Sequence, residues 1–334
     1  MPTRNLPGTT DRRIDALLTL LSDNPLIVIS GQKIAREIGV SRSAVWRWTQ
    51  RLRALGVRVK GHARTGYQIE RVPDVLSPSL LRRQLHNSVF GKHIHHYFKA
   101  ASTNRIAFDR GHAGDPHGTV VIAEEQTAGR GRAGRAWHSE KTSGIYVTVL
   151  LRPSISPILA PLITMVAGLA VRDAVLEETG KAPDLRWPND LLMAGKKFCG
   201  ILTEMHAEPD RVRFVIVGIG VDVNHASMPA ALSGIATSLR MVTGRTHSRL
   251  QILTRLLHNL ETYYNRFVAE GPAPILARFT EVSSYARGKR VRITTGGETY
   301  TGTTDGLDPH GLLRVRRDDG RCEVVISGDV AEAP

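Results

Sequence analysis

Between Gly129 and Arg135 the chain reads GRGRAGR, three glycines and three arginines inside the longer stretch QTAGRGRAGRAW. Guanidinium groups are permanently charged and donate to two acceptors at once, so arginines at this density suit a carboxylate or phosphate. The glycines let main-chain N–H groups come close to such a ligand. Two familiar phosphate loops are excluded. A P-loop needs Gly-Lys followed by Ser or Thr, and no lysine follows Gly134. The dinucleotide fingerprint has the spacing of Gly129, Gly131 and Gly134 but must open into a helix, and the RAWHSEKTSG that follows is polar and turn-like. Downstream lie Asn189-Asp190 and Lys196-Lys197, which taken alone are a turn and a solvated hairpin. In HIHHYF, the histidines His93, His95 and His96 have no carboxylate or cysteine at ligand spacing and read as ordinary strand residues. Cys199 reads as a small packed hydrophobe.

The elements that must carry these residues belong to a chain of 334 residues, enough for two to three domains. Two cysteines, Cys199 and Cys322, form no disulfide framework, and MPTRNLPGTTDRR lacks the apolar core of a signal peptide, so a cytoplasmic protein is expected. The uncharged stretch 153–171 approaches membrane-spanning length, but Pro153, Pro157 and Pro161 crowd its first half and it leads into RDAVLEE. A buried helix over 158–178 is expected, and no membrane partner. The net charge is +14; residues 1–75 carry +7 of it and residues 276–334 none. This concentration at the N-terminus points to nucleic acid there.

Ile14, Leu17, Leu18 and Leu21 predict a helix over Asp11–Leu21. Ser30 is placed to cap a second helix ending at Ile38 before Gly39. Ser41 caps a third that runs to Leu55 and stops at Gly56, with Val45, Trp48, Leu52 and Leu55 on its buried stripe. Its outer face presents Arg42, Ser43, Trp46, Arg47, Gln50 and Arg51. This is a helix-turn-helix, and two short strands, Val57–Lys60 and Tyr67–Ile69, flank a basic loop as a wing. Operator DNA is the expected partner, through Ser41, those six residues and Arg64 of the wing. IERVPDVLSPSLL, with two prolines, reads as the linker ending this domain.

From about residue 93, strands GTVVIAEEQ, SGIYVTVLLRP and VRFVIVGIGVDVN, with DLRWPNDLLMAGKKFCGILTEMH turning at Ala194-Gly195, predict an antiparallel meander with helices on one face. The last fifty residues alternate in short strands around GGE, DPHG and DDGR turns, a small SH3-like barrel. The expected class is α+β and multidomain: 1–75 a winged helix-turn-helix, 76–280 a central antiparallel-sheet domain, 281–334 the barrel.

ASTN, GRGRAGRAW, RWPNDLL, KKFCGIL and VGIGVDVN occur in the order and approximate spacing of the biotin protein ligases. With the helix-turn-helix in front, residues 11 to 330 resemble the bifunctional biotin ligase/biotin operon repressors, the BirA family. The resemblance implies a class II synthetase-like ligase domain. It implies an enzyme that joins biotin to ATP as biotinyl-5′-adenylate, then passes biotin to a lysine of the biotin carboxyl carrier protein of acetyl-CoA carboxylase. It also implies biotin-responsive repression of biotin operon genes, by a homodimer formed when adenylate is bound. Such chemistry needs no covalent enzyme intermediate, only positioning and cancelled charge repulsion.

Residue by residue, the resemblance assigns Ser102, Thr103, Asn104, Gln126, Arg130, Gly131, Arg132, Lys197 and Gly200 to biotin, with Arg132 and Lys197 catalytic. It assigns Arg135, Trp137, Asn189, Asp190, Asp222 and Asn224 to ATP and the adenylate, with Asp190 as a ligand for Mg2+. The chain departs from the family pattern at Ala101, where Asp precedes STN, at Ala133, where a second consecutive arginine stands, and at Asp222, which replaces an Asn. Two other readings stay open here: a catalytically inactive biotin-sensing transcription factor, and a lipoate ligase with a DNA-binding module. GRGRAGR disfavours the second, and the retained Arg132 and Lys197 the first.

Overall fold

The computed structural model describes residues 12–25, 27–54, 57–70 and 74–333. Asp11, Leu55 and Gly56, named above, lie outside them. Three helices come first: α1 (Arg12–Asp23), α2 (Gly31–Ile38) and α3 (Arg42–Ala54). Ser30 accepts from the Lys33 N–H to start α2, and Gly39, at φ 71°, ends it. Ile14, Leu17, Leu18 and Leu21 of α1 pack against Ile34 and against Val45, Trp48 and Leu52 of α3, forming a separate core. An antiparallel hairpin, β1 (Val59–His62) and β2 (Gly66–Ile69), follows with Val59 paired to Ile69. Gly66, at φ 146°, could not take a side chain, because a Cβ would stand 2.1 Å from the Ile29 carbonyl oxygen.

The end of the segment expected to be a linker is helical. Ser77 caps α4 (Pro78–Gln84), whose Leu80 and Leu81 are buried in the central core. The apolar pair and the N-cap outweigh the helix-breaking reputation of proline, which is tolerated at a helix's first turn.

The central sheet has seven strands in the order β3-β4-β5-β9-β8-β7-β6. These are β3 (Ile94–Tyr97), β4 (Thr119–Ala123), β5 (Gly144–Leu151), β6 (Asp184–Arg186), β7 (Asp190–Met193), β8 (Lys196–Ala207) and β9 (Val212–Asp222). All neighbours are antiparallel except β3 and β4, which run parallel. The expected pure meander fails there because α5 (Thr103–His112) lies between the two strands and returns the chain to the same end. Helices also cover both faces, not one. On one side α6 (Leu162–Thr179) and α8 (Arg249–Glu270) pack over Val147, Val149, Val215, Val217 and Ile219. On the other, α5 packs through Ala107 over Tyr97, Val121, Leu150, Phe214 and Ile216. The period-two alternation along β5 and β9 sends successive residues to opposite faces, so both had to be covered.

The uncharged stretch forms a one-turn 3-10 helix over Pro157–Leu159 and then α6, buried as expected. It is long and apolar enough to pass a membrane-span test by composition, but most of it is buried inside the protein. After α7 (Leu239–Thr243), α8 and α9 (Ala273–Val282), the chain ends in a five-stranded antiparallel sheet ordered β13-β12-β11-β10-β14. Its strands are β10 (Arg287–Thr295), β11 (Glu298–Leu307), β12 (Leu313–Arg317), β13 (Cys322–Val325) and β14 (Asp329–Glu332). The indole N–H of Trp187 donates to the Gly311 carbonyl (2.9 Å), joining this sheet to the central domain.

Candidate ligand cavity and DNA-facing surface

A cavity of about 420 Å³ opens on the α5 face of the central sheet. Three glycines on adjacent strands create its floor. A Cβ at Gly220 would meet the Trp137 indole at 2.5 Å, and one at Gly200 would meet it at 2.9 Å. A Cβ at Gly218 would stand 1.9 Å from the Asn104 side-chain oxygen. Bare backbone on β8 and β9 is therefore what lets Trp137 and Asn104 lie flat over the sheet. Gly200, expected to admit the ligand itself, makes room for the Trp137 ring and the Lys197 side chain.

At one end, Ser102, Thr103, Asn104 and Gln126 converge. Gln126 Oε1 accepts from the Thr103 N–H (2.8 Å) and hydroxyl (3.1 Å), and its Nε2 donates to the Ser139 hydroxyl (3.1 Å). Asn104 Oδ1 accepts from the Thr148 hydroxyl (2.7 Å), while Nδ2 donates to Glu204 (2.8 Å) and the Leu202 carbonyl (3.2 Å). Thr148 and Glu204 escaped the sequence reading. Each is a plain strand residue, and nothing in local spacing reveals which partner a strand places across from it.

The glycine–arginine loop folds back on itself at the cavity mouth. The Gly131 N–H donates to the Arg135 carbonyl (2.7 Å), and Arg130 bridges to Ala136. Between them Ala133, at φ 53°, and Gly134, at φ 73°, both adopt left-handed backbone. A non-glycine residue there is uncommon. Arg132 donates to Asn189 Oδ1 (3.0 Å), Arg135 pairs with Asp329 of the C-terminal sheet, and Arg130 lies 3.9 Å from Glu204. Through Asp329, the C-terminal sheet thus closes part of the cavity rim.

Opposite the loop, Lys197 Nζ sits 2.6 Å from Asp190 Oδ1 and 5.5 Å from the Trp137 ring centre. Asp190 Oδ2 takes a second cation, Arg186, at 2.8 Å. Both Asp190 oxygens thus face cations, Oδ1 the Lys197 ammonium and Oδ2 the Arg186 guanidinium, and Asp222 and Asp329 are the other carboxylates lining the cavity among the described residues.

Asp222 lines the cavity, and its burial pushes the carboxyl well above the usual carboxylate range, partly offset by Lys197. Asn224 does not reach the cavity. Its Nδ2 donates to the His247 carbonyl (2.8 Å) and its Oδ1 accepts from the His247 N–H (2.9 Å), so both ends are spent holding the segment before α8. The strand ends at Asp222, and the chain turns away before residue 224. The remaining expected residues, Arg130, Gly131, Arg132, Arg135, Trp137, Asn189, Asp190, Lys197 and Gly200, all line the cavity. Arg186 and His138 join them unforeseen, although Arg186 stood inside the quoted RWPND. Cys199 is fully buried and burial pushes its thiol up, as suits a packing residue.

Near the cavity a buried charge cluster links three parts of the chain. Arg249, fully buried, donates to Glu124 (2.8 Å), to the Gly144 carbonyl (2.9 Å) and to Asp74 (3.1 Å). Burial alone would raise the Glu124 carboxyl. Arg249, His96 and the Leu76 N–H together hold it at about 2. His96 is therefore a buried hydrogen-bonding residue (3.1 Å to Glu124), and His95 faces Asp115 at 3.5 Å.

On the N-terminal domain, Arg42, Ser43, Trp46, Arg47 and Arg51 are exposed along α3, with Gln50 half-buried, and Arg64 is exposed in the hairpin loop. Ser41 spends its hydroxyl on the Ala44 N–H (3.2 Å) and contacts Ser43 (2.9 Å), so it starts the helix. Trp46 is 58% exposed, far more than an indole normally is on a free surface. Asp15 of α1 accepts from the Ser77 and Ser79 hydroxyls, docking this domain on α4.

Comparison with known proteins bears on these surfaces separately. Residues 97–224 match the biotin/lipoate A/B protein ligase family, residues 12–68 an HTH domain, and residues 287–331 the biotin protein ligase C-terminal domain. The bifunctional ligase/repressor BirA of Bacillus subtilis is 38% identical over 318 residues, covering 94% of this chain and 97% of its own. The biotin–[acetyl-CoA-carboxylase] ligase of Mycobacterium tuberculosis is 35% identical over 268 residues, 77% of this chain and 97% of its own. Among solved structures, the Aquifex aeolicus biotin protein ligase in complex with biotin and ATP aligns with a TM-score of 0.64 at 27% identity, covering 72% of this chain and all of that one.

Proposed function

This chain belongs to the bifunctional biotin ligase/repressor family, and from that premise we propose how its cavity and helical surface divide the work. It is a biotin–[acetyl-CoA-carboxylase] ligase with an HTH domain, using biotin and ATP, and a transcriptional repressor. The observation that carries the ligase reading is the convergence of Arg130, Arg132 and Lys197 on one cavity whose inner end is the Gln126–Thr103–Asn104 hydrogen-bond cluster.

Biotin enters with its ureido ring against Ser102, Thr103, Asn104 and Gln126, and its valerate carboxylate pointing to Lys197 and Arg132. Asn104 arrives with its amide already oriented by Thr148 and Glu204, so little ordering entropy remains to be lost. ATP lies on the Trp137 side, bordered by Arg135, Asn189 and Asp222. Joining the two anions needs their repulsion cancelled; Lys197 and Arg132 supply charge next to both. The carboxylate oxygen attacks the α-phosphorus, the bond to the β-phosphate oxygen breaks, and pyrophosphate leaves. In the second step a carrier-protein lysine amine attacks the adenylate carbonyl, displacing AMP. Arg132 held by Asn189, and Arg135 held by Asp329, close the loop over the anhydride and exclude water. Asp190 would be the oxygen ligand for a magnesium ion accompanying the ATP phosphates, whose charge it would help to neutralise.

The domain limits follow the same logic: a winged helix-turn-helix through residue 75, the ligase domain over 76–280, and an SH3-like barrel from 281 that borders the site and faces the carrier protein. Arg42, Ser43, Trp46, Gln50, Arg47 and Arg51, with Arg64, contact operator DNA, Ser41 setting the start of the helix. A homodimer formed on adenylate binding presents two such surfaces to paired half-sites.

ATP–pyrophosphate exchange tests the ligase reading: biotin should support it and lipoate should not. Exchange with lipoate alone would transfer the site to the lipoate ligases, and no exchange with either would leave a sensor without catalysis.

A further inference from the structure

Where the irregular segment between the glycine–arginine loop and β5 passes the turn after β9, three side chains face one another that the ligase chemistry does not use as a group. His138, Glu140 and His225 each bring a donor atom within 4.8 Å of the others. Glu140 Oε2 lies 3.9 Å from His225 Nε2, and the two imidazole rings stand 5.7 Å apart between centres. His225 is fully buried. Its Nδ1 has no hydrogen-bond partner among the described residues and faces Asp222 Oδ1, likewise unpartnered, at 3.6 Å. Its Nε2 faces Glu140 and meets the Tyr146 hydroxyl in one long contact of 3.4 Å.

We propose that His138, Glu140 and His225 form a binding site for a zinc-class dication, with Asp222 behind His225 as its outer carboxylate. Two imidazole nitrogens and one carboxylate oxygen are a donor set suited to zinc and its neighbours in the first transition row, whereas magnesium and calcium favour oxygen alone. A ligating imidazole ordinarily turns its second nitrogen to a carboxylate, which fixes ring orientation and tautomer. Asp222 stands at that position beside Nδ1, and on Nε2 the metal would replace the long contact with the Tyr146 hydroxyl. Tetrahedral bonds of about 2.0–2.1 Å bring donors to within roughly 3.4 Å of one another. Glu140, 52% exposed, and the exposed His138 can rotate to close that distance, and the rigid partner is the buried His225.

The site has a structural consequence as well as a ligand. His138 lines the ligand cavity, Ser139 accepts from Gln126, and Lys141 donates to the Ala54 carbonyl at the end of α3 (3.1 Å). A metal on His138 and Glu140 would pin this four-residue segment to β9. It would fix the one stretch that touches the cavity, the Gln126 cluster and the DNA-facing helix in succession.

Equilibrium dialysis of the full chain against zinc chloride, with metal content measured afterwards, tests this. The wild type should bind one zinc that is weakened by about tenfold or more in both His138→Ala and Glu140→Gln, two exposed positions whose replacement leaves the core intact. Cobalt(II) should give the intense visible absorption of a tetrahedral nitrogen–oxygen site, lost in the same variants. Zinc uptake unchanged in both variants would place the metal elsewhere, at a surface histidine or Cys322, and overturn the proposal. No uptake at micromolar zinc would do the same. Neither result touches the ligase reading, which pyrophosphate exchange tests separately.

Discussion

Lys197 Nζ stands 2.6 Å from Asp190 Oδ1 and 5.5 Å from the centre of the Trp137 ring. One carboxylate and one aromatic face thus hold the cation proposed to meet biotin's carboxylate. Lys197→Ala should slow adenylate formation by roughly 10²–10³-fold, the usual cost of removing one positioned donor to a developing charge. Pyrophosphate exchange at saturating biotin measures it; a wild-type rate would remove Lys197 from the mechanism.

Arg132 is tied to Asn189 across the cavity mouth. Arg132→Gly should retain some adenylate synthesis while letting biotinyl-adenylate escape. Bystander proteins mixed with the variant, biotin and ATP should then become biotinylated on exposed lysines. Labelling confined to the carrier protein, with no free adenylate detected, would refute the lid role.

Gly220 has no space for a methyl group, because its Cβ would meet the Trp137 indole at 2.5 Å. Gly220→Ala should displace that ring at a cost of roughly 1–3 kcal/mol. The KM for ATP in pyrophosphate exchange should rise by about tenfold to a hundredfold, with a smaller effect on the KM for biotin. An unchanged ATP KM would show that the ring does not border the nucleotide.

The buried Arg249–Glu124 pair gives a pH prediction. Glu124 has its carboxyl depressed from 4.5 to about 2, so its contribution to stability is complete above pH 4.5 and is lost as pH falls through 2. Arg249→Ala strands a buried carboxylate and should cost about 3–5 kcal/mol at neutral pH. In that variant only His96 and the Leu76 N–H oppose burial, so the carboxyl rises from its wild-type position and the destabilisation should shrink on mild acidification. Urea unfolding at pH 7 and pH 5 reads both signs; parallel loss in the two proteins would contradict the pairing.

Arg47 is exposed on α3, in a domain that contributes none of the residues lining the cavity. Arg47→Ala should weaken binding to a biotin operon promoter fragment and flatten its salt dependence, leaving pyrophosphate exchange unchanged. Biotin with ATP should tighten the wild-type complex, and by linkage operator DNA should favour the adenylate-bound form. Equal DNA binding with and without biotin and ATP would defeat the biotin-responsive switch.

Much of the site was legible in the sequence because its residues cluster in short runs. Gln126 to Trp137 lie in one loop, and Asn189, Asp190, Lys197 and Gly200 on one hairpin. What stayed hidden depends on partners far along the chain. Thr148 and Glu204 matter through Asn104, and Arg249 through Asp74 and Glu124; no local pattern links positions 74, 124 and 249. Asn224 misled for the converse reason: motif membership gave it a role, while the turn after β9 directed its amide to His247. The parallel pairing of β3 and β4 depends on the helix between them, which strand patterning alone does not register.

The clasp of Arg249 on Asp74 also bears on how separable the halves of this protein are. Arg249 binds both the Asp74 carboxylate and, through a second guanidinium nitrogen, its main-chain carbonyl, and the Arg249 N–H donates to the same side chain (3.0 Å). A chain shortened to begin at residue 76 would keep every residue lining the cavity but leave that guanidinium half-coordinated beside Glu124. The smallest autonomous ligase should therefore start before Asp74, carrying a short tail of what looks like the neighbouring module.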